Sequence, residues 1–510
     1  HPTILTDFKD GCGIEFPILS DRCDIGIPLI LYTDEFEVCN PIGSARTKHK
    51  LAAVYFTLAC LPPSLRSRRR YIFLNALIPD RARKSLGYDK VFSNLIEDLR
   101  NLYSNPIKLS NGSLVCAKVV AFCGDSLSAH ALGGLQGSFS SGYICRFCYC
   151  SYGDVSNIFL ESQCLLRTIE SLYEDLDAAE QGRDSRGVKS RSVLYNTGYN
   201  DICLSTLLLP DCLHDFLEGV VPKVICVVLR TMKADKILTL PKINELISTF
   251  RYQLKDSGLN PYDLEITNAN LSEAKLKGTA SQKWCLLVHL PFILRDVQIP
   301  DTNQAWQLLI KCREIGEIIL SDSIPKSKIP YLSCLIDEHH QLFRLLAPVA
   351  MTPKFHFLIH YPRLITLFGP PVRYWTMRFE AKHQYFKDLA RKCKNFKNLP
   401  HTLSTRCQAL QAVALSSYFF GLSEILCGPG ETTSVSGFDH SVCESIKEVS
   451  GLGYFEDEDV FCASWVQLNG IKYQLGSLLV TSLVQEDIPL FTKVEWIVNI
   501  RQKWYIGGRD

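Results

Sequence analysis

No run of about eighteen apolar residues and no charged-then-apolar leader occurs in the 510-residue sequence, so it predicts neither a membrane span nor a secretory signal. A long disordered tract is also absent. Hydrophobic residues make up 46% and charged residues 21%, the balance of a chain that folds around a core. There is no internal repeat, and the net charge of +2 is too small to argue for or against nucleic acid, for which local clustering is what matters. Cysteine, by contrast, is plentiful. The 21 cysteines are scattered through apolar stretches such as VICVVL and FCASW, which predicts reduced, buried thiols of an intracellular protein rather than a disulfide framework. The length predicts two to four domains. The chain begins at His1 rather than Met, so a fragment is expected, with an N-terminal module missing.

Basic residues gather in LRSRRRY at 65–71, RARK at 81–84 and KDLARKCKNFK at 387–397. A solvated helix face is the commoner meaning of one such run, and a phosphate-backbone contact the sharper one. The stretch IPLILYTDEFEV is apolar and β-rich to Thr33 and then acidic, which predicts a buried strand with Asp34 in its second half. HKLAAVYFTLACL and RRYIFLNALI predict two more strands. Apolar residues at 91, 92, 95, 96 and 99 have amphipathic-helix spacing, and GSLVCAKVVAFCGDS predicts another strand, ending in Asp125. Three strands, a helix and a strand parallel to the first form the opening half of a ribonuclease H-like α/β fold, in which the first and fourth strands are neighbours. Asp34 and Asp125 are thereby expected to converge at strand C-terminal ends, where open α/β sheets place their sites. Mainly helical segments follow between about 155 and 350, then a charged helix at 377–394. The last stretch has short alternating runs around an Asn-Gly turn at 469–470, which predicts a small β-barrel-like domain.

Cys145 and Cys148 in GYICRFCYC have the spacing with which two thiolates on a tight knuckle face one Zn²⁺. No second C-x-x-C follows at zinc-finger distance. KFHFLIHY offers His356 and His360, i and i+4 on one helical face. Two readings stand here: a Cys₂His₂ site that staples a helical insertion to the α/β core, or two buried thiols and two unrelated core histidines. Cys150 is a substitute ligand, awkwardly close to Cys148. Asp34, with Glu35 and Glu37 beside it, is either part of a surface acidic cluster or a group that needs a cation, because a carboxylate at the end of an apolar strand is costly to bury unpaired. Asp125 repeats the pattern. Two such residues on adjacent strands point to Mg²⁺, which is held by few carboxylates plus substrate phosphate oxygens.

Glu380 stands on a helix with Lys382, Lys387, Arg391, Lys392, Lys394 and Lys397. It is either an i,i+4 ion-pair partner or a metal ligand over a phosphate backbone. In LPDCLHDFLEGV, Asp211, His214 and Asp215 bind a metal or line a cleft, or Asp211 caps the helix that follows, which is the commoner reading.

Taken in order, LYTDEFEVCNPIG, GDSLSAHALGGLQGSFSSGYICRFC, PDCLHDFLEG, PKFHFLIHYP and WTMRFEAKHQYFK resemble the catalytic region of CACTA-type (EnSpm-like) DNA transposases. That group is related more distantly to Transib transposases and to the catalytic subunit of the V(D)J recombinase. The resemblance spans roughly residues 25–400. It implies a ribonuclease H-like catalytic core interrupted by a large, mainly helical, zinc-stapled insertion. It implies Asp34, Asp125 and Glu380 as a DDE triad holding two Mg²⁺ (or Mn²⁺) ions. Cys145, Cys148, His356 and His360 are implied as ligands of a structural Zn²⁺, although the histidine spacing is one residue shorter than in the V(D)J recombinase.

The activity implied is metal-dependent phosphodiester cleavage and strand transfer on double-stranded DNA at transposon ends, by a nuclear homodimer that pairs two ends. The alternatives are a domesticated, catalytically inactive relative that binds DNA or protein, and an unrelated structural zinc protein. The expected layout is a truncated extension at 1–24 and the first half of the core at 25–130. The knuckle and helical insertion follow at 131–370, the Glu380 helix region at 371–425 and the small β domain at 440–510.

Overall fold

The computed structural model describes residues 3–13, 23–38, 50–199, 202–252, 259–394, 397–415, 425–450, 459–468, 471–484, 488–500 and 503–509. The chain divides into two compact units, residues 1–411 and 412–510.

The first unit is built on a mixed sheet of β1 (Ile25–Glu37), β2 (Lys50–Leu58), β3 (Phe73–Pro79) and β4 (Leu114–Cys123), in the order β3-β2-β1-β4. A two-residue strand, Ile107–Lys108, extends it beyond β4. β1 and β2 pair antiparallel, as do β2 and β3, whereas β1 and β4 run parallel. Parallel pairing needs a crossover, and α1 (Ser93–Ser104) supplies it, burying Leu95, Ile96 and Leu99 as its spacing predicts.

Side chains alternate along a strand, so β1 feeds two cores. Leu29 and Leu31 join α1, Ala117 and Val119 on one face. Ile30, Tyr32 and Phe36 belong to a larger core that continues into the helices after residue 213. Asp34 shares the parity of Tyr32 and Phe36, which turns it toward that larger core. Helix Val221–Ala234 lies at its centre, with every residue from Val224 to Leu229 fully buried; a helix apolar all round must be enclosed in this way. Around it stand helices Ala280–Ile293, Gln304–Ile319 and Lys328–Leu346.

The basic runs are partly structural. Arg66 is buried, ion-paired with Asp7 and donating to the carbonyls of Ala59 and Leu61 at 2.8 Å each. Arg83 is tied to Glu35 and Asp80. Lys382, also buried, donates to the carbonyl of Ile72. One pair of cysteines departs from the expected reduced state: Cys23 and Cys116 form a disulfide. The parallel register sets Gly26 opposite Cys116, which brings the start of β1 to β4. The other cysteines among the described residues form no disulfide.

Among its described residues the second unit carries antiparallel strands in two sheets, together with helix His440–Ser450. Strands Trp465–Leu468 and Ile471–Gln474 pair with Leu468 opposite Ile471; Asn469 and Gly470, where the sequence predicts a turn, lie outside the described residues. Its apolar residues form two small clusters, one around Val460 and Val498 and one around Val466 and Ile497. Among the described residues no helix is long and apolar enough to cross a membrane.

Candidate metal centre and carboxylate cleft

The parallel register ends with Tyr32 opposite Cys123. Asp34 and Asp125 each lie two residues further on, at the C-terminal end of neighbouring strands. Asp34 Oδ1 accepts the Glu35 N–H at 2.7 Å and Oδ2 accepts the Tyr32 hydroxyl at 3.1 Å. Asp125 stands past its strand as the N-cap of α2 (Ser126–Leu132), accepting the Ser128 N–H at 2.6 Å. Glu380 is delivered by a third element, the helix Met377–Cys393. That helix packs on β1 through rings: Phe379 stacks on Tyr32 at 4.7 Å between centroids, and His383 on Phe36 at 4.4 Å.

The three carboxylates share one electrostatic neighbourhood. Burial pushes Asp34 up to about 6, and the charge of Asp125 adds to it against the Glu35 N–H. Burial likewise pushes Glu380 up to about 7, with His214 opposing and Asp211 and Asp34 adding. Both acids are desolvated without enough positive charge beside them, the condition that a bound cation relieves.

His214 is set among them as a cation. Burial works against its protonation, yet the Asp211 carboxylate at 2.5 Å from Nδ1 raises it to about 10. Its Nε2 lies 3.7 Å from Glu380 Oε1. Asp211 itself is fully occupied, accepting from the N–H groups of Leu213 at 3.3 Å and Thr376 at 3.1 Å and from the Thr376 hydroxyl at 2.7 Å. The same hydroxyl lies 2.9 Å from Glu380 Oε1. Asp211 therefore fastens the start of one helix to the start of another and positions Glu380. The helix it precedes begins as a π-helical segment, Leu213–Val220, whose N-cap is Cys212. Asp215 turns away, buried against Tyr361 and Ser126. Of the three residues Asp211, His214 and Asp215, only His214 reaches the acids directly.

The Cys/His cluster is closed. Cys145, Cys148, His356 and His360 are all buried, and their ligand atoms lie within 4.8 Å of one another. Cys148 Sγ is 3.1 Å from His356 Nε2, Cys145 Sγ is 3.5 Å from His360 Nε2, and the two Nε2 atoms are 3.4 Å apart. A tetrahedral ion bound at ordinary Zn–S and Zn–N lengths sets such S···N and N···N separations at about 3.6 and about 3.3 Å. The donor set and its spacing therefore fit one metal ion. The histidines are not on one continuous helix. Pro362 has no N–H to offer the carbonyl of Leu358, so the chain breaks into Pro353–Leu358 and Tyr361–Phe368. His360 sits at the break with φ −86° and ψ −13°, close enough to helical for the two rings to face each other.

Burial alone would raise the Cys145 thiol; bonding to Cys148 and the His360 and His356 charges hold it well below its ordinary value, as a thiolate ligand requires. Glu161 accepts His360 Nδ1 at 2.6 Å and Arg363 at 2.8 Å, the carboxylate-on-histidine arrangement that orients metal ligands.

Arg146, between the two cysteines, connects the regions. Its guanidinium is buried and donates to the carbonyls of Leu208 and Leu209 at 2.9 Å each, and to Ser126 Oγ at 3.4 Å. The knuckle is thus bound both to the segment leading to Asp211 and to the residue after Asp125. Nothing in spacing singles out Arg146 or Glu161. Thr376 was open to inference, since it stands four residues before Glu380 on one helical face. No protein-family model matches this sequence, and no curated protein is significantly similar to it.

Proposed function

We propose that this chain is the catalytic core of a DDE-type DNA transposase of ribonuclease H-like architecture, interrupted by a helical insertion. Asp34, Asp125 and Glu380 would hold Mg²⁺ or Mn²⁺, and Cys145, Cys148, His356 and His360 would hold a structural Zn²⁺. What supports the reading is that Asp34 and Asp125 stand at the ends of neighbouring strands, that Asp34 feels the charge of Asp125 and Glu380 that of Asp34, and that burial raises Asp34 and Glu380. When bound, the divalent ions supply an activated oxygen nucleophile and charge neutralisation at a scissile phosphate.

The residues of the chain prepare that role. Tyr32 and the Glu35 N–H orient Asp34, the Ser128 N–H orients Asp125, and Thr376 orients Glu380. The carboxylates would act as ligands in their ionised form, so Asp34 and Glu380, which burial raises, would hold a cation once deprotonated. The substrate would be double-stranded DNA at element ends, paired by a homodimer in the nucleus. With Arg66 and Lys382 committed internally, backbone contacts would fall to other cations.

The test is cleavage and strand transfer on labelled duplex DNA with Mg²⁺ or Mn²⁺, comparing wild type with Asp125→Ala and Glu380→Ala. Metal-dependent products should disappear in both variants, by at least about 10³-fold, with zinc content unchanged. A wild type that binds DNA without cutting it under either metal would make the chain an inactive, domesticated relative.

A further inference from the structure

The cleft at Asp125 carries two lysines, Lys223 and Lys354, that the proposed carboxylate site does not use. A cavity of about 330 Å³ is lined by Asp125, Ser126, His214, Glu218, Lys223 and Lys354, with apolar side chains making up the rest of its wall. Lys354 is held in place there. Its Nζ donates to the His214 carbonyl at 2.7 Å. Its stem crosses the π-helical segment at Gly219, where a Cβ would collide with the lysine Cδ and lie 3.0 Å from its Cβ. Glycine at 219 is therefore what lets Lys354 lie across this helix, and π turns recur at functional sites. Lys223 follows Gly219 by four residues, on the same helical face.

A third lysine, the buried Lys283, feels the charges of both Glu218 and Lys354. Burial holds Lys223 and Lys283 below the ordinary lysine value, and the neighbouring charge of Lys354 adds to it in each case. Lysines gathered in a half-desolvated cleft outnumber its two acids, Asp125 and Glu218, an excess that an anion relieves. A DNA strand carries one charge per about 3.4 Å of helix axis, so a strand reaching Asp125 brings further phosphates into this space.

We propose that the cleft seats a backbone phosphate flanking the one attacked, with Lys223 and Lys354 contacting its oxygens and Gly219 keeping Lys354 aligned. The inference rests on the DNA-transposase reading above. The test is fluorescence anisotropy of a labelled duplex bound to the full chain, with Mg²⁺ omitted, across about 50 to 200 mM KCl. The Lys223→Gln/Lys354→Gln double variant should flatten the slope of log K against log salt by about 0.9, the loss of one neutralised phosphate, and each single variant by part of that. Lys354→Arg should keep the slope, as should Lys9→Gln, an exposed lysine outside the cleft. Thermal melts establish which variants fold, and Lys223→Gln carries the test if Lys354→Gln does not. A wild type with a steep slope that the folded cleft variants leave unchanged overturns this inference alone. A wild type with no salt-dependent DNA binding overturns the transposase reading and the inference together.

Discussion

At the Cys145/Cys148/His356/His360 cluster every donor is buried and all four ligand atoms fall within 4.8 Å, whereas Asp34, Asp125 and Glu380 are partly exposed and each leans on its own hydroxyl or amide. Both sets draw on distant parts of the chain. The first has no room for anything but an ion, and such closed sets contribute folding energy. The second lies around His214, which Asp211 raises to about 10, beside a cleft lined by Asp125 and His214. The fold tolerates raised carboxylates there, as sites poised for chemistry often do. Soft donors thus lie in the dry interior and hard donors at the rim, and under the proposed function that is a division between holding the chain together and acting on DNA.

The largest blow to that division would come from the closed side. Cys148→Ser or His356→Ala should remove the bound zinc equivalent, measured by elemental analysis, and destabilise the first unit by more than about 4 kcal/mol. Asp34→Ala should leave zinc content intact, and a Cys148→Ser protein with unchanged melting would end the comparison.

Acid should reveal a weakness beneath each region. His130, on the helix that Asp125 caps, and His340, bonded to the Phe355 carbonyl beside the metal cluster, are both held down to about 4 by burial. Unfolded, each takes a proton near its ordinary 6.5; folded, neither does until about pH 4. Stability is therefore complete above pH 6.5 and falls as pH drops from 6.5 toward 4, by on the order of 3 kcal/mol for each histidine. His130→Gln and His340→Gln should each flatten that slope in melts taken across the range. A slope unmoved by either would locate the acid lability in the metal-binding thiolates instead.

Glu161→Gln should weaken zinc affinity about 10- to 100-fold in competition with a chromophoric chelator. It should spare DNA cleavage at saturating zinc; a loss of cleavage there would mean the two regions are not separable. The mildest change sharpens the open side. Thr376→Val removes the hydroxyl shared by Asp211 and Glu380, and should lower stability by about 1–2 kcal/mol. It should slow cleavage while zinc content stays constant.

Much of the first unit is legible before folding. β1 and β4 are marked by apolar runs, α1 by its spacing, and the knuckle by C-x-x-C, because these signals are local and periodic. Less accessible is the π-helical segment at Leu213–Val220, whose widened turn suits Lys354 packed over Gly219, a contact across 135 positions. Arg146 is read naturally as a surface charge, and it is buried because two carbonyls and a serine surround it. Lys382 belongs by sequence to a basic helix face and by structure to the carbonyl of Ile72.

The sequence by itself determined the kinds of donor present and the elements that carry them, since periodicity and residue chemistry are properties of short segments. Only the tertiary structure decided which donors meet. Whether His356 faces Cys148, or His214 stands between Asp211 and Glu380, depends on how the helices after residue 213 pack against one face of β1. That packing is set by burial summed over the whole core, which no single stretch of the chain encodes.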